Sequence, residues 1–238
     1  MNAKIISIWG ANGSGKTTTA VNLAFALAQR NFLVGVISSN MYYGEMQTVF
    51  GCNVDSDRGT YHSLMSGETK NMFVQAGKSA VFVLSAPDKF DAMQLTTVSA
   101  DSAINLLDNA VDSFDFVIID GNTELNNPIS SIGMTKADKV LIVHKPSVKD
   151  CLWYRSMQNV IDLLNLSYKS EHILNGHDKS CDLSAYKSSI GLDFSYELGY
   201  VENAKIYANT GQAIVFHDMK QEKAYTTGIQ NLATSLII

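Results

Sequence analysis

The chain has 238 residues, of which 46% are hydrophobic, so residues 1–238 are long and apolar enough to form one globular domain. Its net charge of −5 gives no general attraction to nucleic acid or anionic lipid, and no apolar run approaches the length of a membrane span. The 3 cysteines, Cys52, Cys151 and Cys181, lack metal-ligand spacing and indicate reduced thiols packed in the core of a cytoplasmic protein. Because the first residues already form a strand pattern, we expect no signal peptide.

The first predicted elements are a strand, a glycine-rich loop and a helix. Residues 4–9 (KIISIW) form an almost unbroken apolar run, as expected of a strand buried on both faces of a parallel sheet. Residues 17–30 carry apolar side chains at helical spacing. Between them, residues 10–17 (GANGSGKT) match the phosphate-binding loop pattern in the structural context that this pattern requires. The sequence therefore predicts a nucleotide site here, and a coincidental glycine turn is the less favoured alternative.

The residue types of this loop suit phosphate binding. Backbone N–H groups at the start of the helix would surround phosphate oxygens, and Gly13 and Gly15 allow the backbone to approach closely. Lys16 would neutralise charge on the β- and γ-phosphates, and the hydroxyl of Thr17 would ligate Mg²⁺. We therefore expect ATP or ADP, together with Mg²⁺, as the ligands.

The remaining elements alternate between strands and helices. Strand-like runs lie at residues 32–38, 80–85, 114–120, 139–144 and 172–175, and helical patterns lie at residues 100–111, 149–166 and 222–236. A short hairpin is predicted between residues 73–75 and 80–85. This order predicts an α/β fold of three layers, a doubly wound and mostly parallel sheet with helices on both faces. The ligand crevice of such a sheet lies beyond the carboxyl ends of its strands.

Asp120 is the carboxylate to consider beside the loop, because it closes the hydrophobic run FDFVIID. An aspartate after such a strand usually holds Mg²⁺ through water in P-loop enzymes, so Thr17 and Asp120 are the predicted metal residues. A solvated aspartate at the end of a strand is the alternative. Asp115 lies near the start of the same run and is expected to be a surface or turn residue.

Several segments, in order along nearly the whole chain, resemble the ParA/MinD superfamily of P-loop ATPases. They are GKTTTAVNLAFALAQR, FDFVIIDGN and ADKVLIVHKPSVKD. The segments MYYGEMQTVFG, TYHSLMSG and VFVLSAP are most similar to the CpaE/TadZ-like branch, which positions Tad-type pilus machinery. The segment GYVENAKIYANTGQAIV is similar to the one that closes over the base in these ATPases. The resemblance implies the ParA/MinD-like fold and ATP with Mg²⁺ as ligands.

The resemblance also implies a set of site residues. It places Mg²⁺ at Thr17 and near Asp120, and the adenine beside Asn175 and residues 201–203. An asparagine amide offers a donor and an acceptor to an adenine edge, although capping of the next turn is the alternative role. The residues implied for nucleotide binding are Asn12, Gly13, Ser14, Gly15, Lys16, Thr17, Thr18, Asn175, Val201, Glu202 and Asn203. Those implied for catalysis are Lys16, Asp120 and Asn40.

Three positions depart from the family pattern. Ala11 stands where the family usually has a lysine that reaches across an ATP-sandwiched dimer to the partner's phosphates. Ser38 and Asn40 stand where the family has aspartates that orient the attacking water or support the metal. Asparagine can hydrogen-bond water but carries no charge and is a poor base. Because losing one preorganised electrostatic contact commonly lowers a rate by ~10²-fold or more, we expect slow or vestigial ATP hydrolysis.

These features favour a nucleotide-dependent localisation or assembly factor of a pilus or secretion apparatus. It would act through protein partners, with a nucleotide-dependent homodimer as a further expectation. It would lie in the cytoplasm or be recruited by partners to the inner membrane face or a cell pole. A partition ATPase that binds DNA nonspecifically is the alternative, but the last third has only scattered lysines and no arginine. The uncharged tail GIQNLATSLII indicates core packing rather than membrane binding. Tyr42, Tyr43 and Met46 could form an exposed partner patch or be buried.

Overall fold

An eight-stranded sheet lies at the centre of the described residues, which are 3–177, 181–217 and 219–238 of this computed structural model. The strands are β1 (Lys4–Gly10), β2 (Val34–Ser38), β3 (Val74–Gln75), β4 (Val81–Leu84), β5 (Phe116–Asp120), β6 (Lys139–His144), β7 (Ser170–His177) and β8 (Tyr196–Gly199). Their order across the sheet is β3-β4-β2-β5-β1-β6-β7-β8. Every neighbouring pair is parallel except β3 and β4, which form the predicted antiparallel hairpin.

Helices cover both faces of this sheet. They are α1 (Lys16–Ala28), α2 (Glu45–Phe50), α3 (Thr60–Ser66), α4 (Ala100–Val111), α5 (Pro128–Lys136), α6 (Val148–Leu163), α7 (Leu183–Ile190), α8 (Ala204–Asn209) and α9 (Lys223–Ile237). Short 3-10 turns lie at Lys70–Met72, Ala92–Gln94, Ser167–Lys169 and Ile214–Phe216. The predicted three-layer α/β fold, with a mostly parallel sheet between two helical layers, is confirmed.

The sheet separates two hydrophobic cores, and β1 contributes to both. Ile6 and Ile8 face the core that contains α1 and α9, whereas Ile5 and Trp9 face the core that contains α4 and α5. Because successive side chains of a strand point to opposite faces, a strand covered on both sides is apolar at nearly every position. This explains the almost unbroken apolar runs in the sequence. The loop after β1 therefore begins between the two helical layers.

The predicted and observed elements differ mainly in the second half of the chain. The strand predicted at residues 172–175 is the middle of the longer β7. The helix α2 in the first half and β8, α5, α7 and α8 in the second half were not predicted. The tail packs on the core as expected, because Tyr225, Ile229 and Leu232 of α9 are buried in the core that they share with α1. Cys151 is buried, whereas Cys52 and Cys181 are only partly buried, and all are free thiols. Across the described ranges no helix has the length and apolarity needed to cross a bilayer.

Candidate functional site

The loop after β1 has the tight backbone that its glycines predict. Gly10 has φ 155° and Gly15 has φ 99°, values that a residue with a side chain rarely adopts. A Cβ on Gly10 would come within 2.3 Å of the carbonyl oxygen of Val143 in β6, and one on Gly15 would come within 2.0 Å of Nδ2 of Asn175 in β7. Glycine at these positions therefore lets the loop lie against the two strands on one side of β1.

The loop opens into a cleft of ≈ 690 Å³ at the carboxyl ends of the strands. Its lining includes residues of the loop and of the first turn of α1, namely Asn12, Gly13, Gly15, Lys16, Thr17 and Thr18. It also includes Asn40 after β2, Asp120 and Gly121 at the end of β5, Glu45 of α2 and Lys205 of α8. The cleft thus lies where the topology predicts a ligand crevice.

Thr17 and Asp120 meet at the base of this cleft. The Thr17 hydroxyl donates a hydrogen bond of 2.8 Å to Oδ2 of Asp120. The other carboxylate oxygen, Oδ1, is buried and has no hydrogen-bond partner among the described residues. Burial raises the pKa of Asp120 to about 6, against the lowering effects of the Thr17 hydrogen bond and the charge of Lys16. A hydroxyl and an unpartnered buried carboxylate oxygen fit Mg²⁺, which prefers oxygen ligands and retained water.

Lys16 makes hydrogen bonds within its own loop. Its ammonium donates to the carbonyl oxygens of Gly10 (3.1 Å) and Ala11 (3.0 Å) and to Oγ1 of Thr123 (2.9 Å). Burial lowers the pKa of Lys16, and the negative charges of Asp120 and Glu45 oppose that shift. Phosphate oxygens would have to replace these neutral acceptors. Thr123 was not predicted from sequence, because nothing in its local pattern indicates a contact with a lysine so far away along the chain.

Asn175 lies beneath the phosphate-binding loop. Its buried Nδ2 donates a hydrogen bond of 2.7 Å to the carbonyl oxygen of Ser14, so this donor supports the loop. In the segment similar to the base-closing one, Val201 is buried in the core, Glu202 is exposed and Asn203 is half-buried before α8. None of these residues lines the cleft formed by the described part of the chain. Their role beside the adenine stays a prediction.

The three positions that depart from the family pattern are well packed. Ala11 is only 3% exposed, and its carbonyl oxygen accepts hydrogen bonds from the backbone of Ser14 and from Lys16. The buried hydroxyl of Ser38 accepts from the backbone N–H of Asn40. Oδ1 of Asn40 in turn accepts a hydrogen bond of 3.0 Å from the backbone N–H of Tyr42. These positions supply no charge to the cleft, and the amide oxygen of Asn40 already has a partner.

The segment after Asn40 is divided between surface and core. Tyr42 and Tyr43 are each 60% exposed and line the mouth of the cleft. Met46 is 1% exposed and belongs to the core. The two tyrosines are therefore exposed and could belong to a partner patch. Met46 is buried and cannot belong to it.

Comparison with known proteins shows the family of this chain. A family model described as AAA domain (AAA_31) matches residues 3–172. The chain belongs to this AAA domain family. An uncharacterized ATP-binding protein of Methanocaldococcus jannaschii is 27% identical over 163 residues, which are 68% of this chain and 57% of the relative. The chain therefore aligns with little more than half the length of this relative.

Solved structures share the fold at low sequence identity. A ParA family ATPase from Chlorobium tepidum has a TM-score of 0.82 and 18% identity, with 99% of this chain and 100% of that chain covered. The septum site-determining protein MinD from Pyrococcus horikoshii, in complex with Mg-ADP, has a TM-score of 0.79 and 18% identity, with 98% and 96% covered. Together with the family match, these findings support the predicted ParA/MinD superfamily. They do not confirm the CpaE/TadZ-like branch.

Proposed function

We propose that this chain is an ATP-binding ParA/MinD-like ATPase with slow or vestigial hydrolysis. In this proposal it uses nucleotide mainly as a ligand that changes its conformation or dimerisation. It would serve as a localisation or assembly factor for a pilus or secretion apparatus.

The observation that carries this proposal is the contrast between the binding groups and the positions where the family has catalytic charges. The binding groups are present, namely the tight loop, Lys16, and the hydrogen bond of 2.8 Å between Thr17 and Asp120. At the other positions the chain has a buried alanine, Ala11, and the uncharged side chain of Asn40. Preorganised charges aimed at the reacting groups commonly contribute ~10²-fold or more to a rate. Nucleotide binding without those two charges is therefore the property that this cleft supports best.

In our proposal the ligands are ATP or ADP with Mg²⁺, held by residues 12–18 and, for the metal, by Thr17 and Asp120. The metal would supply charge neutralisation on the phosphates. The MinD of Pyrococcus horikoshii was solved with Mg-ADP, which supports this choice of ligands. The structure titled MinC:MinD cell division protein complex, from Aquifex aeolicus, has the same fold with a TM-score of 0.77. That protein was solved with a protein partner, which supports protein partners in our proposal.

A role through protein partners also agrees with the surface. Tyr42 and Tyr43 are exposed at the mouth of the cleft, where a partner could sense whether nucleotide is bound. DNA binding of the partition type would need a basic surface, yet Lys187 is paired with Glu197 and Lys205 lines the cleft. We therefore do not favour nucleic acid as the partner.

The experiment that tests the proposal is size-exclusion chromatography with and without ATP and Mg²⁺, run beside a phosphate-release assay. We expect a nucleotide-dependent change in elution volume and a rate of phosphate release far below one per second, the low end of typical enzyme turnover. Rapid hydrolysis would contradict the proposal, and so would an unchanged elution volume together with no ATP binding. ATP-dependent DNA binding that weakens with salt would support the partition alternative instead.

A further inference from the structure

One carboxylate of the cleft has no part in the prediction from sequence. Glu45 is the first residue of α2, and it lines the same cleft as Lys16 and Asp120. The lining of the cleft thus contains a carboxylate from α2 as well as the neutral side chain of Asn40.

The helix that carries Glu45 is held firmly in place. Met46 and Phe50 are buried in the core, and Oε1 of Gln47 accepts a hydrogen bond of 3.0 Å from the backbone N–H of Val54. At the start of the helix, a Cβ on Gly44 would come within 2.4 Å of the carbonyl oxygen of Ala86. The backbone next to Glu45 is therefore fixed against the loop that follows β4.

The other end of α2 packs closely on α8. A Cβ on Gly211, which follows α8, would come within 2.6 Å of the Cα of Gly51, which follows α2. Both short helices contribute to the lining of the cleft, Glu45 from α2 and Lys205 from α8. Because the backbone of α2 is packed at both ends, the side chain of Glu45 starts from a fixed point at the cleft, which favours a positioned group.

The carboxylate of Glu45 is also available. Its side chain is exposed, and it makes no hydrogen bond or ion pair within residues 3–177, 181–217 and 219–238. By comparison, Oδ1 of Asn40 is occupied by the backbone of Tyr42. A carboxylate without partners can accept a hydrogen bond from a water molecule and, in the transition state, a proton.

We propose that Glu45 orients the attacking water in the residual ATP hydrolysis of this chain, in place of the aspartate missing at position 40. This inference rests on the proposed function, namely that ATP binds in the cleft. In the reaction the water oxygen forms a bond to the γ-phosphorus. The bond from that phosphorus to the bridging oxygen breaks, and its electron pair leaves with ADP. The proton of the water passes to the carboxylate of Glu45, which later releases it to solvent as phosphate departs.

The test is the substitution Glu45→Gln, which keeps the size of the side chain and removes the charge. We expect kcat for phosphate release to fall tenfold or more, since general-base groups contribute about 10²–10⁴-fold. The Kd for ATP, measured by isothermal titration, should stay within twofold, and the melting temperature should not change because the side chain is exposed. Glu45→Asp should retain part of the rate.

Two further variants separate this role from a general effect of charge. Glu68→Gln removes an exposed carboxylate that lies outside the cleft and should leave the rate unchanged. Asn40→Asp, introduced into the Glu45→Gln variant, should restore part of the lost turnover.

The inference is overturned if Glu45→Gln hydrolyses ATP at the wild-type rate. It is also overturned if Glu68→Gln loses as much rate, or if the wild-type chain binds ATP without releasing phosphate. A wild-type chain that does not bind ATP at all would refute the proposed function itself, and the titration identifies that outcome separately.

Discussion

Asp120 gives a prediction in which stability and metal binding change in opposite directions. Burial raises the pKa of its carboxyl from 3.8 to about 6. The folded chain therefore binds more protons than the unfolded chain between these two values, and its stability falls as the pH rises through that window. A shift of this size corresponds to about 3 kcal/mol, and the whole penalty is present at neutral pH.

The substitution Asp120→Asn removes this buried charge but keeps an oxygen that can accept the hydrogen bond from Thr17. We therefore expect the nucleotide-free chain to gain about 1–3 kcal/mol in its free energy of unfolding at pH 7.5. For a chain of this length, the gain is equivalent to roughly 2–12 °C in melting temperature. Most of the gain should disappear by pH 4, where the wild-type carboxyl is protonated when folded. The same substitution should weaken Mg²⁺-dependent ATP binding more than metal-free binding.

Urea unfolding at the two pH values measures the stability, and isothermal titration of ATP with Mg²⁺ or with EDTA measures the binding. Asp115→Asn is a matched control at the other end of the same chain segment, where the carboxylate accepts a hydrogen bond of 2.7 Å from the backbone N–H of Leu33. This control should not increase stability. The reasoning is refuted if Asp120→Asn destabilises the nucleotide-free chain, or if it weakens ATP binding equally with and without Mg²⁺.

Two other predictions concern catalysis and pH. Ala11→Lys together with Asn40→Asp should raise the rate of phosphate release. The gain from Ala11→Lys should grow with protein concentration, because the family's lysine acts across a dimer. Phosphate release across a dilution series of the double and single variants checks this, and an inactive double variant that still dimerises would contradict it. Burial and the neighbouring His144 lower the pKa of His172 to about 4, so its contribution to stability is complete above pH 6.5 and is lost as the pH falls towards 4. At pH 5 the loss should be about 2 kcal/mol. His172→Gln should therefore reduce the difference in unfolding free energy between pH 7.5 and pH 5, and an unchanged difference would contradict this prediction.

Much of the fold follows from the sequence because its strands and helices carry their own local signals. The helix predicted at residues 100–111 coincides with α4, whose start is fixed by the Ser99 hydroxyl that accepts from the backbone of Ser102. The strand at residues 139–144 coincides with β6, which is buried along almost its whole length. In contrast, β8 has only four residues, and one of them is buried, so it lacks a clear apolar pattern.

The site could be predicted only as far as its residues are contiguous. The phosphate-binding loop is a single local motif, and its cleft is where the topology places it. The contact of Asn175 with the loop depends on two segments that lie far apart in the chain. Glu45 was missed because family patterns direct attention to the end of β2, whereas this carboxylate reaches the cleft through the packing of α2 against α8. Such contacts are set by tertiary packing and have no signal in local sequence.

The most direct test of the central claim is isothermal titration of ATP with Mg²⁺ into the wild-type chain and into Lys16→Ala. The claim is that the loop after β1 binds ATP phosphates through Lys16, whose ammonium lies among loop carbonyl oxygens that phosphate would replace. Because a hydrogen bond to a charged group contributes about 1.5–3 kcal/mol, we expect the variant to bind at least tenfold more weakly. Equal affinities in two chains with the same melting temperature would contradict the account.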